Sequence, residues 1–205
     1  MYKSKYILLL MGTKGDLRRI KIIESASYCL AHFGERGTTF QAIAEHCKIS
    51  QASVVKYLKT RENIFPTVLE YSISRARAVT ESAVNQTETP EQKLRSYLKV
   101  SYKLFHERHE ISVTILTLHY FAGIDEKFRL INSQIKDIAQ ERIAGIISEG
   151  MSDGSFKKVN ARLAAKMLHN CLMGYLLSSI TETSKPSDLR LPDMLADLCV
   201  NFVKA

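Results

Sequence analysis

Breakers are scarce in this chain: its 205 residues include only nine glycines and four prolines. Long stretches therefore run uninterrupted, which favours an all-helical fold. The four cysteines, Cys29, Cys47, Cys171 and Cys199, lie far apart and form no C-x-x-C pair. Each falls at an apolar helical position, so buried reduced thiols are expected and a zinc site is not. A redox switch at Cys47 is the alternative that position leaves open. No segment approaches transmembrane length; the run Tyr6–Met11 is too short for a span or a signal-peptide core. There is no Gly-rich phosphate loop, no G-x-S-x-G and no H-E-x-x-H, so no catalytic residue and no cofactor is expected. His106 and His109 could share a helix face with Glu110, a geometry open to a metal, but such a pair is more often solvated and no metal is expected.

Charge is present in quantity, and it is unevenly spread. Hydrophobic residues make up 45% of the chain and charged residues 24%, the balance of a globular protein of one or two domains. The formal net charge is +8. Residues 1–62 hold 11 Lys and Arg against 5 Asp and Glu, a net of +6, which leaves 18 against 16 in residues 63–205. A basic end joined to a near-neutral remainder implies a polyanion at one end only.

The stretch Thr38–Ile64 organises that basic end. Thr38 or Thr39 can cap a first short helix whose apolar face is Phe40, Ile43 and Ala44. Cys47, Lys48 and Ile49 make a turn, and Ser50 caps a second helix from Gln51 to about Leu58 with Val54 and Leu58 inward. The other face carries Gln51, Ala52, Ser53, Lys56 and Tyr57, short or polar side chains with a cation and no acid. That profile suits a helix in the DNA major groove, where phosphate repels acids and small residues permit close approach. Upstream, Asp16 to about Phe33 reads as a helix with Ile22, Ile23, Ala26, Leu30 and Phe33 inward, ended by Gly34 and Gly37. Arg18 and Arg19 oppose the macrodipole at its start, a placement that does not serve helix stability.

The run IIESASYCL, then Gly34, then TTFQAIAEHCKISQASVVKYLKTRENI resembles the N-terminal DNA-binding domain of the TetR family of bacterial transcriptional regulators. The likeness spans about residues 17–70 and joins several features: Ile-Ile-x-x-Ala, Thr-Thr before the second helix, Ile43-Ala44, Ser50 at the cap, Tyr57, and Arg61-Glu62. It implies DNA contacts from Thr39, Gln41, Lys48, Ser50, Gln51, Ala52, Ser53, Val55, Lys56, Tyr57, Lys59 and Arg61, with Tyr57 and Arg61 holding phosphates. Three positions depart from the family pattern. Lys48 replaces a turn glycine, Val55 a tyrosine and Gln41 an arginine, so the operator sequence or affinity is expected to differ while the fold is kept.

Four segments follow: a flexible basic arm at 1–15, a helix-turn-helix domain at 16–62, a connecting helix at 63–84 and a C-terminal domain at 85–205. A mobile arm with no essential role is the preferred reading of 1–15; the alternative is an upstream extension of a chain starting at Met11. In the C-terminal domain Pro90 starts a helix to about Glu107, Ile111–Ala122 is a shorter one, and Asp125 caps a long helix to Glu149 with Phe128, Ile131, Ile135, Ile138, Ile143 and Ile146 inward. Asn160 caps an apolar helix to about Ile180, and Lys185–Asp188 lead into the last. The sum is an all-α fold of about nine helices, a three-helix DNA-binding domain followed by a helical bundle.

The last two helices carry more apolar surface than one inward stripe needs: Leu168, Cys171, Leu172, Tyr175, Leu176 and Ser179, then Leu195, Leu198, Cys199 and Phe202. These positions suit either core or, as the resemblance implies, a homodimer joined by a four-helix bundle. The resemblance also implies a small-molecule effector site, for which Tyr102, Phe105, His119, Tyr120, Met167, Met173 and Tyr175 are candidates because they mix apolar surface with a polar handle. The expected function is a cytoplasmic, ligand-responsive repressor that binds a palindromic operator in double-stranded DNA as a homodimer, with no membrane partner. The alternative is a TetR-like architectural or protein-interacting DNA binder without an inducer.

Overall fold

The computed structural model describes residues 14–181 and 190–205. The expected basic arm, apart from its last two residues, and the Lys185–Asp188 connection lie outside them. Among the described residues there are nine α-helices and no β-strand: α1 Lys14–Gly37, α2 Phe40–Cys47, α3 Gln51–Leu58, α4 Ile64–Asn85, α5 Pro90–Glu107, α6 His109–Ile124, α7 Glu126–Ser152, α8 Ala161–Thr181 and α9 Leu191–Val203. A 3-10 turn, Arg61–Asn63, precedes α4. The all-α class expected from the scarcity of breakers is the class observed. None of these helices is long and apolar enough to cross a membrane.

The chain divides into two compact units. The first comprises residues 1–76 with 109–115, and the second residues 77–108 with 116–205. The division falls inside α4 and inside α6, so each of these helices contributes to both units.

In the first unit, α1 packs on α2 and α3. Ile22, Ala26 and Cys29 of α1, Ile43 and Cys47 of α2, and Val54 of α3 are fully buried, and Leu58 nearly so. Gly34 adopts φ 68°, in the left-handed region, and this bends the end of α1. The Thr38 hydroxyl donates to the Gly34 carbonyl at 2.7 Å, closing the bend. Just before it Phe33, expected inward, is 56% exposed. The bend removes the helical partners that the sequence period presumed.

In the second unit α5 is central, packed against α7, α8 and α9. Its start is fixed by a reciprocal cap. Thr89 accepts from the Gln92 amide, and Gln92 reaches back to the Thr89 amide. Asp125 accepts from the Lys127 amide at 2.7 Å, and Asn160 from the Leu163 amide at 3.0 Å, as their cap roles require. Ile143 and Ile146 are buried as expected, whereas Ile138 is exposed. The turn after α7 tucks Phe156 against Gly150, where an added Cβ would sit on the ring. The Lys157 amide there donates to the Val203 carbonyl at 3.0 Å, which pins the C-terminus.

Candidate nucleic-acid interface

Helices α2 and α3 with the turn between them form the candidate interface, and each part is set by local chemistry. Thr39 is the N-cap of α2, its Oγ1 accepting from the Ala42 amide at 3.1 Å. Lys48 then takes a left-handed conformation, φ 57° and ψ 49°, and its amide and that of Ile49 return to the last carbonyls of α2. This sharp reversal lets α3 start three residues later, at Gln51, with Ser50 as its cap. Behind the turn, His46 stacks on Tyr28 with ring centroids 4.1 Å apart, and its Nδ1 lies 2.9 Å from the Ser25 hydroxyl. Two helices are thereby held in one register by packing and by polar contact.

On the outer side of α3, Gln51, Ala52 and Lys56 are exposed, Val55 is 37% exposed, and Ser53 and Tyr57 are half-buried. Gln51, Ala52, Val55 and Lys56 thus share a solvent-facing surface with Lys48, Ser50 and Lys59. Gln41, also exposed, donates its amide to Glu45 at 2.9 Å. Arg61 donates to the Arg36 carbonyl at 3.1 Å, at the end of α1. Glu62 beside it is held below the usual carboxylate range by hydrogen bonds from its own amide and from Thr60.

One residue was missing from the sequence-based set. Arg18 of α1 donates to the Ser53 hydroxyl at 2.9 Å, and that hydroxyl lies 2.9 Å from Ser50 Oγ. A guanidinium from the first helix thus joins the cap of α3. The sequence signal was its awkward place at the start of α1; the partner is 35 positions away and invisible to any local pattern.

The thiols nearby are not poised for chemistry. Cys47 is fully buried and directs its Sγ toward the Lys21 carbonyl, so a redox switch there lacks access. Burial, with Cys47 as a smaller contribution, pushes the Cys29 thiol up to about 11. Cys171 is the departure from expectation: it is exposed on α8. Among the described residues no three His, Cys, Asp or Glu side chains gather to hold a metal.

In the second unit the effector candidates divide between core and surface. Tyr102, Phe105 and Tyr175 are buried, and the rings of Tyr102 and Tyr175 meet edge to face at 5.0 Å. The Tyr102 hydroxyl lies 3.7 Å from Cys199 Sγ, and burial raises the phenol well above its usual range. His119, Tyr120 and Met167 are exposed, and Met173 is half-buried. The dimer candidates divide as well. Leu168, Leu172, Tyr175, Leu176 and Cys199 are buried within the chain itself, Ser179 and Leu195 are half-buried, and only Cys171, Leu198 and Phe202 are exposed. The outer apolar face is instead made by Leu163, Met167 and Cys171 of α8, four residues apart, with Leu177 further along, and by Met194, Leu198 and Phe202 of α9. α8 is apolar nearly all round, so its sequence could not say which side turns inward.

A basic three-helix unit with a helix-turn-helix, followed by an all-helical second unit, is the architecture of TetR-type regulators, and solved structures share it along the chain. A TetR transcription regulator from Haloarcula marismortui superposes with a TM-score of 0.79 at 20% identity, over 92% of this chain and 98% of that one. AibR, solved with isovaleryl coenzyme A and operator DNA, superposes with a TM-score of 0.68 at 20% identity, over 91% of this chain and 98% of its own. The superantigen PfiT also shares the fold, with a TM-score of 0.70 at 15% identity over 94% of this chain and 98% of its own. No family model matches the sequence, and no curated protein does so. The chain therefore has the TetR-family fold. What it does must be argued from its own residues.

Proposed function

We propose that the protein is a ligand-responsive transcriptional regulator, a repressor that binds a palindromic operator as a homodimer in the cytoplasm. The observation that carries this reading is the outer face of α3. Gln51, Ala52, Val55 and Lys56 are exposed without an acid among them, next to Lys48 and Lys59, and Arg18 braces the helix start. Side-chain amides suit base edges, small side chains permit close approach, and the surrounding cations suit phosphates. Thr39, Gln41, Ser50, Ser53, Tyr57 and Arg61 complete the proposed DNA-facing set.

Dimerisation is supported by the outer apolar faces of α8 and α9, where Leu198 alone is 68% exposed. Two-fold symmetry would double the contacts of one short recognition helix on a palindrome. AibR, with the same fold, was captured with an acyl thioester and operator DNA, which supports an effector site in the second unit. Residues of α4 belong to both units, so an effector that prefers one arrangement of that helix would shift DNA affinity by its differential binding.

The test is fluorescence anisotropy against DNA from upstream of the protein's own gene, at two salt concentrations. Scrambled DNA and a Gln51→Ala/Lys56→Ala double variant are the controls. The expected result is sequence-selective binding that the double variant loses. Equal weak binding to both DNAs, falling steeply with salt, would overturn the regulator reading in favour of an architectural role. Absence of binding would remove α3 as the recognition helix.

A further inference from the structure

Two polar atoms inside the second unit are buried with no hydrogen-bond partner among the described residues: Nδ1 of His169 on α8 and Nε2 of Gln140 on α7. His169 is 8% exposed and lies on the inner face of α8, between Leu168 and Leu172. Helices α7 and α8 pack against each other. Lys136 precedes Gln140 by one helical turn on the same face of α7, followed by the buried Ile143 and Ile147. A buried polar group left unpaired forfeits its hydration and gains nothing in return, so a leucine at position 169 would suit the core better if packing were its only task.

The charges around His169 give the missing partner a sign. Burial, and then His119 from α6 and Lys136 from α7, push its imidazole down to about 4. It is therefore neutral at pH 7, and the two side chains that act on it through charge, His119 and Lys136, are both basic. A cation arriving there would be repelled. An anion held between α7 and α8 could accept from His169, in the tautomer with its proton on Nδ1, and from the Gln140 amide, with Lys136 as counter-charge.

We propose that His169, Gln140 and Lys136, with His119 toward the surface, bind the carboxylate of an amphipathic organic acid, its apolar remainder lying against Ile143, Leu172 and Leu176. A carboxylate fits because its oxygens accept from separate N–H donors. Bound beside the imidazole, it favours the charged form, so His169 takes up one proton from solvent as the acid binds near neutral pH. A neutral alcohol of the same length satisfies neither the charge nor both donors. This rests on the reading of the second unit as an effector domain, but it concerns ligand binding alone and can be tested without DNA.

The experiment is isothermal titration of the full chain with decanoate, and with 1-decanol as the uncharged probe. Phosphate and Tris buffers, which differ in ionisation heat, report proton uptake. The wild-type protein is expected to bind decanoate with net proton uptake and decanol at least about tenfold more weakly. His169→Leu is expected to bind decanoate at least about tenfold more weakly and without proton uptake, and Lys136→Gln about threefold more weakly. Should His169→Leu fail to fold by circular dichroism, the decanol comparison and the part-exposed Lys136→Gln carry the test. Equal affinity for decanoate and decanol, equal binding by wild type and variants, or no decanoate binding up to about 1 mM would each overturn the proposal. Since the titration contains no DNA, such a failure leaves the recognition-helix reading standing, and the anisotropy assay can fail without affecting this one.

Discussion

Lys48 holds the turn of the helix-turn-helix in a conformation that disfavours it. Its φ of 57° and ψ of 49° lie in the left-handed region, where a Cβ crowds the following carbonyl. Its side chain is exposed, so no packing is lost when it is removed. Relieving the Cβ penalty gains about 1–2 kcal/mol, and the extra unfolded-state freedom of glycine returns about 0.5–1 kcal/mol. Lys48→Gly is therefore expected to stabilise the first unit by about 0.5–1 kcal/mol, a rise of roughly 2–6 °C if that unit melts by itself. Lys48→Ala keeps the Cβ and removes the charge, and it is expected to give no rise. Thermal melts of the three proteins, followed by circular dichroism, separate backbone from charge. If alanine and glycine stabilise equally, the gain comes from relieving the basic surface and the backbone argument is wrong. The same glycine variant removes one cation from the proposed DNA face. Its affinity for DNA is expected to fall at low salt even as its stability rises, with the salt slope reduced by about 0.9.

Arg18→Ala is expected to weaken operator binding with little change in melting temperature, because the Arg18–Ser53 bond is exposed and such contacts contribute about 1 kcal/mol or less to folding; anisotropy and melts together check this. For His169, the folded value of about 4 lies below the ordinary 6.5, so the unfolded chain binds more protons between them. Stability is then fully present above pH 6.5 and falls by up to about 3 kcal/mol as pH drops to 4, a loss that denaturant titrations should find flattened in His169→Leu. Leu198→Glu is expected to leave the protomer folded and cost about 2 kcal/mol or more in self-association, roughly thirtyfold, by analytical ultracentrifugation. Alkylation of the native protein should reach Cys171 and spare Cys29, Cys47 and Cys199, and labelling of Cys171 should slow as protein concentration rises if the α8 face joins two copies.

The readable parts of the sequence were those whose cause is local. A cap acts within three residues, so Thr39, Ser50, Asp125 and Asn160 stood out from their neighbours alone, and α3 and α5 have the bounds their signals implied. Helix α6 did not: it runs from His109 to Ile124, beyond both expected ends. Its cap position is occupied by Arg108, which makes no side-chain capping bond, so no start signal exists to be found. Which side of α8 turns inward was illegible for the same kind of reason, and Leu168, Leu172, Tyr175 and Leu176, open to either core or dimer, lie in the core. Amphipathic period locates a face only where polar residues mark the opposite one, and α8 exposes Leu163, Met167 and Leu177.

The two candidate sites differ in legibility because they differ in how many chain segments build them. The proposed DNA-facing surface is almost wholly one helix and the turn before it, so residue type and spacing carried most of its description. Arg18, the one member from elsewhere, was the one overlooked. The proposed acid site draws on α6, α7 and α8, from His119 to His169. No window of sequence contains it, and its members look ordinary alone: a histidine on an apolar helix, a glutamine and a lysine on a long amphipathic one. What distinguishes His169 and Gln140 is the lack of a partner, which arises only once neighbouring helices have closed around them. Chains sharing this fold at 15–20% identity include regulators and a superantigen. The residues that separate such roles are therefore those that the packing of the fold does not require, and the buried imidazole of His169 is proposed as one of them.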